Sequence, residues 1–332
     1  MQTFAKTGDP AELLGELAGL RDLAAAADAG GAPVVDVLSD PAAARAGKLV
    51  EPRLVSGAPT RAAAYKFGER LALTHAYSGD LAPGQIRVYG QAPSMLAGSS
   101  EAGTRAGTRA GVSEAGFGAE GGEQGETRAQ ARGAETGPEL GRWHLRTVFA
   151  SHPQRTFGEF YAADRIEPYF PAALANGSLS NSDVRAIEQL CEKLYRGDFD
   201  ADEPALVQRG ASLIHGDLWG GNILWATAES AREGAALPDE TALQDGEQES
   251  VVGVLIDPVA HGGAAETDLA SLTVFGTPYL EEIYAGYNNV SALSAGWRER
   301  VGLHRMHILM IHCAMFGGSY GSEAVAQARR YL

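Results

Sequence analysis

The sequence predicts an α+β fold with two lobes, a small β-rich N-terminal lobe over residues 1–54 and a larger helical C-terminal lobe over residues 55–332. The length supports two lobes, because single hydrophobic cores stop growing near ~250–300 residues and this chain has 332. Short apolar runs typical of strands lie in the N-terminal part, whereas the longer amphipathic stretches typical of helices lie mostly beyond it.

The first segment is predicted as a short strand over residues 1–6 that ends in Lys6. A helix should follow, because Asp9 suits the N-cap, Pro10 suits the first helical position and Glu12 is the acid three residues after the cap. Leucines at helical spacing predict its buried stripe: Leu13, Leu17, Leu20 and Leu23.

Further strands are expected at residues 34–37 and 47–54, and Glu51 lies near the expected connection between the lobes. Three stretches beyond this connection are predicted as helices of the C-terminal lobe: residues 61–77, 155–173 and 181–195.

Two stretches have the composition of inserts. Residues 98–138 contain two large apolar side chains, Val112 and Phe117, and a tandem AGTR repeat. Such a segment cannot bury enough surface to offset an ordering entropy of ~1–2 kcal/mol per residue, so we expect it to be disordered and to have no function of its own. Residues 226–250 hold seven acids against the single Arg232 and are expected to form a solvated acidic loop.

The net charge of −15 argues against a nucleic-acid partner, because no basic stripe exists to neutralise phosphates. A membrane partner is not expected either, since no apolar run approaches the ~18 residues of a spanning helix. Cys191 and Cys313 are the two cysteines and lie far apart, which excludes a disulfide framework. No secretory signal is visible at the N-terminus, and a cytoplasmic location is expected.

The most informative motif is HGDLWGGN at residues 215–222, in which Asp217 and Asn222 are five residues apart. This is the spacing of the kinase catalytic loop. Phosphoryl transfer needs a carboxylate to take the proton of the attacking hydroxyl and an amide oxygen on a metal ion. We therefore predict Asp217 as the general base and Asn222 as a ligand of Mg²⁺, with the glycines between them permitting the chain to reverse.

Asp257 follows the apolar run of residues 251–256, where a kinase carries its second metal-binding carboxylate. The alternative is a surface turn, in which Gly, Asn and Asp are common. Apolar runs at 211–214 and 223–225 flank the motif, and together with Asp257 they favour a site for phosphoryl transfer.

Lys6 on the first strand and Glu16 on the first helix match the lysine–glutamate pair that holds the ATP phosphates in kinases. The alternative is a solvated edge lysine beside an ordinary exposed acid. The downstream motifs favour the pair, and Glu12 is the weaker partner because capping already explains it.

The HGDLWxGN pattern resembles the fructosamine (ketosamine) kinase family of the aminoglycoside phosphotransferase-like group. Further matching segments are FGEFY at 157–161, DRI at 164–166, ETDLA at 266–270 and FGGSY at 316–320. The resemblance covers nearly everything from Thr3 onward except the two inserts. It implies a protein-kinase-like fold and ATP-dependent phosphorylation of the C3 hydroxyl of a ketosamine sugar.

The resemblance also implies roles for single residues. Tyr161 and Arg165 fall in the segment that lines the substrate side, and Asp268 should support the catalytic loop. Trp219 is expected to pack locally or to form a wall of the substrate pocket, and His215 to orient the loop. Backbone groups near Glu51 should bind adenine.

In this family two strands and a glycine-rich turn precede the lysine, whereas the present sequence begins five residues before Lys6. Either the start of the sequence is misassigned or the N-terminal lobe is truncated, and a truncated lobe is expected to bind nucleotide weakly. Two alternatives stay open: a kinase of aminoglycosides or choline-like amines, and a degenerate kinase fold used for binding.

Overall fold

A computed structural model describes residues 2–97, 154–238 and 250–332. The insert expected to be disordered, residues 98–138, lies outside these ranges. Up to residue 97 the elements are β1 (Thr3–Thr7), α1 (Pro10–Asp28), β2 (Val34–Val35), α2 (Pro41–Arg45), β3 (Lys48–Pro52), α3 (Arg61–Ala76) and α4 (Ser94–Ala97).

The second described range begins with α5 (Phe157–Tyr161), a π-helical turn (Ala162–Ile166), a 3₁₀ turn (Glu167–Tyr169), α6 (Phe170–Ala175) and α7 (Asn181–Tyr195). It continues with β4 (Ser212–Ile214), a 3₁₀ turn (Gly220–Asn222), β5 (Ile223–Thr227), α8 (Ala228–Gly234) and β6 (Ala235–Ala236). The last range contains β7 (Val251–Leu255), β8 (His261–Gly263), α9 (Ala265–Ser271), α10 (Leu280–Val290), α11 (Trp297–His304), α12 (Met306–Phe316) and α13 (Tyr320–Arg329).

Helix α1 begins as predicted, because the Asp9 carboxylate accepts hydrogen bonds from the backbone of Ala11 and Glu12 and caps the first turn. The predicted leucine stripe of α1 is buried. Strands β1 and β3 pair antiparallel with Lys6 opposite Leu49 and Phe4 opposite Glu51. Because side chains two apart on a strand share a face, Lys6 and Glu51 lie on the same side of this ribbon.

Residues 34–37 are predicted as a strand of the N-terminal lobe, and the structure contains a strand there at Val34–Val35. β2 joins a four-stranded sheet in the order β5-β7-β2-β6, parallel to β7 and antiparallel to β6. Val34 and Val35 are both buried, and β7 and β6 pair with the two hydrogen-bonding edges of this short apolar strand. The four-stranded sheet therefore contains strands from both sides of residue 54. The boundary between the two lobes at residue 54 remains a proposal.

The expectation of a solvated loop at 226–250 is wrong for its first part. Residues up to 236 form the end of β5, the helix α8 and the strand β6. The Thr227 hydroxyl accepts from the backbone of Ser230 and caps α8, and Ala231 and Ala235 are buried. Residues 239–249, which hold most of the acids, lie outside the described ranges.

The single helix predicted over 155–173 is broken into α5, two irregular turns and α6. Pro168 and Pro171 explain the interruption, because proline lacks the N–H of the helical ladder and clashes with the preceding turn. The helices predicted at 61–77 and 181–195 are confirmed.

One hydrophobic core extends from Leu13 on α1 to Tyr287 on α10, and a second is formed by the C-terminal helices with α5 and α7. Helices α3 and α10 pack backbone against backbone. A Cβ on Gly68 would lie 2.0 Å from the Ile283 carbonyl, and one on Gly286 would lie 2.0 Å from the Tyr65 carbonyl. Within the described ranges, no helix combines the length and apolar character that crossing a membrane requires.

Candidate active site

The HGDLWGGN motif forms the connection between β4 and β5, and β4 is held by antiparallel pairing with β8. The turn depends on Gly216, which has φ +83. A Cβ at this position would lie 2.2 Å from the Val259 carbonyl oxygen, so both the backbone conformation and the close approach require glycine.

Asp268 on α9 holds the first two residues of this loop in place. Its buried carboxylate accepts hydrogen bonds from the backbone N–H of His215 (2.7 Å) and of Gly216 (2.9 Å), and from Nε2 of His75 (3.1 Å). Burial opposes the charge, but the hydrogen bond and charge of His75 outweigh it and lower the pKa of Asp268. The His75 Nδ1 lies 2.9 Å from the Tyr287 hydroxyl, which ties this group to α10.

His215 links the loop to the end of β7. Its Nε2 lies 2.9 Å from the Ile256 carbonyl oxygen and donates to it, while its Nδ1 accepts from the backbone N–H of Asp217 (3.2 Å). Burial lowers the pKa of His215. A neutral ring with one donor and one acceptor fits this pattern, so the histidine orients the loop.

Asp217 and Asn222 are in direct contact. Asn222 Nδ2 donates to the Asp217 backbone carbonyl (2.7 Å) and to its carboxylate Oδ2 (3.1 Å). The amide oxygen Oδ1 of Asn222 remains as the group suited to a cation. Burial raises the pKa of Asp217 to about 7, against the effect of the Asn222 hydrogen bond and with a smaller contribution from Asp268. A carboxylate with this pKa is suited to accept a proton near neutral pH.

Asp257 follows β7 and has φ +54, an uncommon left-handed conformation for a residue with a side chain. The Ile256 N–H donates to the Asn222 carbonyl oxygen (3.2 Å), which places Asp257 beside the catalytic loop. Its side chain is 46% exposed and contacts the ammonium of Lys6.

The ammonium Nζ of Lys6 forms ion pairs with three carboxylates. It lies 2.5 Å from Glu16 Oε1 and 3.2 Å from Glu51 Oε1, and it is in close contact with Asp257. Burial works against the charge of Lys6, but the carboxylates outweigh it and raise its pKa. The contact between Lys6 and Glu16 is thus present, and its role toward phosphates remains a proposal.

The side chain of Glu51 was missed by sequence reasoning, which placed its backbone at an adenine-binding connection. Glu51 is buried, and burial raises its pKa to about 7 although Lys6 opposes the shift. The signal that could have found it is the diagonal cross-strand position relative to Lys6, since such neighbours are within reach of long side chains.

Among the described residues, the carboxylate oxygens of Glu16, Glu51 and Asp257 lie within 4.8 Å of one another, but they surround the ammonium of Lys6. Asp257 is the most exposed of the three, at 46%, and is therefore the one able to turn toward a cation while Lys6 stays with Glu16 and Glu51. Asn222 adds an amide oxygen on the segment next to Asp257, because its backbone carbonyl accepts from the Ile256 N–H. Carboxylate and amide oxygens are hard donors, the ligand class that Mg²⁺ prefers. The residues present therefore fit the expected cation.

Trp219 lies at the edge of the site and is half-buried. Its ring folds over Gly221, where a Cβ would lie 2.1 Å from the indole. It also meets the Phe275 ring edge to face, with 5.4 Å between centroids. Gly221 is required for this close approach.

The expectation that Tyr161 and Arg165 line the substrate side is not met. The Tyr161 hydroxyl donates to the His304 carbonyl (2.6 Å) and accepts from the His307 N–H (3.0 Å), which joins α11 to α12. Arg165 is 1% exposed and stacks on the Phe160 ring at 4.5 Å. Both side chains are buried in the core around the π-helical turn and do not form part of an exposed substrate surface in this structure.

Residues 140–332, more than half of the chain, match the family model of fructosamine kinases. The chain belongs to the fructosamine kinase family.

The α+β fold, with a small β-rich N-terminal region and a larger helical part, is confirmed by structural similarity to two crystal structures. One is a fructosamine-3-kinase candidate from Thermobifida fusca, with TM-score 0.58, 28% identity and coverage of 95% of this chain and 78% of that one. The other, from Haemophilus somnus, has TM-score 0.59, 16% identity and coverage of 99% and 83%, and supports the fold alone.

Among curated relatives, a probable ketoamine kinase of Staphylococcus aureus is 27% identical over 172 residues, which is 52% of this chain and 50% of the relative. A probable ketoamine kinase of Synechocystis is 27% identical over 195 residues, 57% of this chain and 55% of the relative. The matched region thus spans about half the length of these relatives.

Proposed function

We propose that this protein is an ATP-dependent kinase that phosphorylates the C3 hydroxyl of the sugar in fructosamines and other ketosamines. The observation that carries the proposal is the meeting of three groups from distant parts of the sequence. The first group is Lys6 with Glu16, the second is Asp217 with Asn222, and the third is Asp257. Lys6 contacts Asp257, and the residue before Asp257 is hydrogen-bonded to the catalytic loop. Family membership and the names of the relatives support the same activity.

In the proposed reaction Asp217 accepts the proton of the sugar hydroxyl as that oxygen attacks the γ-phosphorus of ATP. The bond from the γ-phosphorus to the bridging oxygen breaks, and ADP leaves. The raised pKa of Asp217 suits it to hold this proton near neutral pH. The hydrogen bond from Asn222 keeps the carboxylate in one orientation.

Asn222 and Asp257 would hold Mg²⁺, which when bound neutralises charge on the phosphates. Lys6 contacts Asp257 in this structure. If Asp257 bound this cation, the ammonium of Lys6 would be available to a phosphate oxygen, and Glu16 would keep it in position. Asp268 and His215 maintain the loop and do not touch substrate.

ADP release in the presence of MgATP tests this proposal, with a panel of acceptors that contains N-fructosyl-glycine, an aminoglycoside and choline. The proposal predicts turnover with the fructosyl-amine. Turnover of the aminoglycoside or choline without turnover of the fructosyl-amine would assign another acceptor class to the same site. Binding of MgATP without any turnover would indicate a degenerate kinase fold.

A further inference from the structure

Exposed aromatic rings lie beside the catalytic loop and have no part in the phosphate chemistry. Phe275 is 51% and Phe316 is 63% exposed, although phenylalanine is among the residues most often buried. The rings that connect them to the loop form what we call the aromatic surface: Trp219, Phe275, His312, Phe316 and Tyr320.

The aromatic surface is continuous with the proposed active site. Neighbouring ring centroids are 5.4 Å apart for Trp219 and Phe275, 5.6 Å for Phe275 and His312, and 5.4 Å for His312 and Phe316. The segment of Phe275 packs directly on the catalytic loop, because a Cβ on Gly220 would lie 2.6 Å from the Gly276 carbonyl oxygen. The surface therefore starts two residues from Asp217.

Phe316 is also held in place. It is the last residue of α12, and the chain leaves it through Gly317 and Gly318 with φ of +67 and +66. The final turn is tied down by Asn176, whose Nδ2 donates to the carbonyl oxygens of Cys313 (2.8 Å) and Ala314 (3.0 Å). An apolar surface fixed in this exposed position is typical of a ligand-binding site.

We infer that the aromatic surface binds the amine portion of the substrate and favours aromatic and other apolar amines. This inference rests on the proposed function. In a ketosamine the nitrogen is attached at C1, close to the C3 hydroxyl, so a sugar placed at Asp217 brings its amine substituent within reach of Trp219 and Phe275. Aromatic faces also attract cations, and the ketosamine nitrogen is protonated at neutral pH.

Two substrates with the same sugar test the inference: N-fructosyl-benzylamine and N-fructosyl-glycine. The wild-type protein should show a kcat/KM about tenfold higher for the benzylamine derivative, mainly through KM, which corresponds to about 1.4 kcal/mol. Phe316→Ala should bring this ratio close to one, Phe275→Ala should lower it, and Phe316→Tyr should preserve it. Leu206→Ala removes a leucine that is 40% exposed outside the aromatic surface and serves as the matched control.

Thermal melting of each variant verifies that it is folded. A wild-type ratio near one, or a ratio that Phe316→Ala leaves unchanged, overturns the inference while the proposed kinase activity stands. Failure of the wild-type protein to phosphorylate either compound overturns the proposed function, and the inference with it.

Discussion

At the scale of single residues, the chemistry of the site depends on where each carboxylate is placed relative to water and to its donors. Asp217 and Asp268 belong to the same loop assembly, yet their pKa values move in opposite directions. Burial dominates at Asp217 and raises its pKa. At Asp268, donors from His75, His215 and Gly216 outweigh burial and lower it. The first carboxylate is thereby suited to take a proton and the second to remain charged.

Asp217→Asn should lower kcat by about 10²–10⁴-fold, because the amide cannot accept the hydroxyl proton. Binding of MgATP should persist, since Asp217 does not contact Lys6 or Asp257 in the hydrogen bonds of the site. Steady-state kinetics and calorimetric titration measure the two effects, with Asp198→Asn at an exposed position as the control. Equal loss of nucleotide binding and of turnover would contradict the role of Asp217 as base.

Asp257→Ala should abolish the Mg²⁺ dependence of ATP binding, because it removes a carboxylate proposed to hold the metal. The ion pairs of Lys6 with Glu16 and Glu51 remain in this variant, so the fold should be retained. Titration of ATP with and without Mg²⁺ tests this expectation, alongside a thermal melt. An unchanged response to Mg²⁺ in a folded variant would mean that Asp257 is not a metal ligand.

At the scale of elements, the position of α1 decides whether Glu16 reaches Lys6. The buried Asp22 on α1 accepts the Ser94 N–H at 2.9 Å and so joins α1 to the start of α4. Leu96 of α4 and Ala18 of α1 form a small apolar cluster beside this contact. Because this contact between α1 and α4 involves the carboxyl group of Asp22, its contribution to the stability of the fold depends on pH.

Burial raises the pKa of Asp22 to about 6, with Ser94 opposing the shift and Asp80 adding to it. Its folded-state pKa thus exceeds the unfolded value, so its contribution to stability is complete below pH ~4 and is lost as pH rises through ~6. Asp22→Asn keeps an acceptor for Ser94 without the charge. Compared with wild type, it should gain about 2–3 kcal/mol in free energy of unfolding at pH 8, and this gain should shrink toward pH 4.5.

Denaturant unfolding at pH 4.5, 6 and 8 measures this difference, with Asp198→Asn as the exposed control. A difference between Asp22→Asn and wild type that is constant across this range would show that Asp22 is not desolvated in the folded protein.

At the scale of the whole molecule, sequence patterns predicted the elements that local chemistry determines and missed those determined by distant contacts. The cap at Asp9, the leucine stripe of α1 and the spacing of Asp217 and Asn222 are local, and the structure contains all of them. The pairing of β2 with β7 joins residues more than 200 positions apart, as Val34 with Leu255. A two-residue apolar pair cannot specify its partner by periodicity.

The site shows the same division. The contact of Lys6 with Glu16 could be predicted from the kinase motif. The contact of Lys6 with the Glu51 carboxylate could not, because it depends on which residues of β1 and β3 lie opposite each other. Tyr161 and Arg165 were placed on the substrate side by resemblance. In the structure Tyr161 ends α5, Arg165 lies in the π-helical turn that follows, and both side chains are buried. Periodicity assumes regular helix and cannot anticipate such a turn.

In the proposed function these residues together transfer the γ-phosphoryl group of ATP to a ketosamine sugar. The most direct measurement is ³¹P NMR of the protein with MgATP and N-fructosyl-glycine, compared with Asp217→Asn. We expect ADP resonances to grow together with a phosphomonoester resonance assigned to the C3 position, and we expect both to be strongly reduced in the variant. Formation of ADP with free inorganic phosphate and no sugar ester, or an equal rate of ester formation in Asp217→Asn, would contradict it.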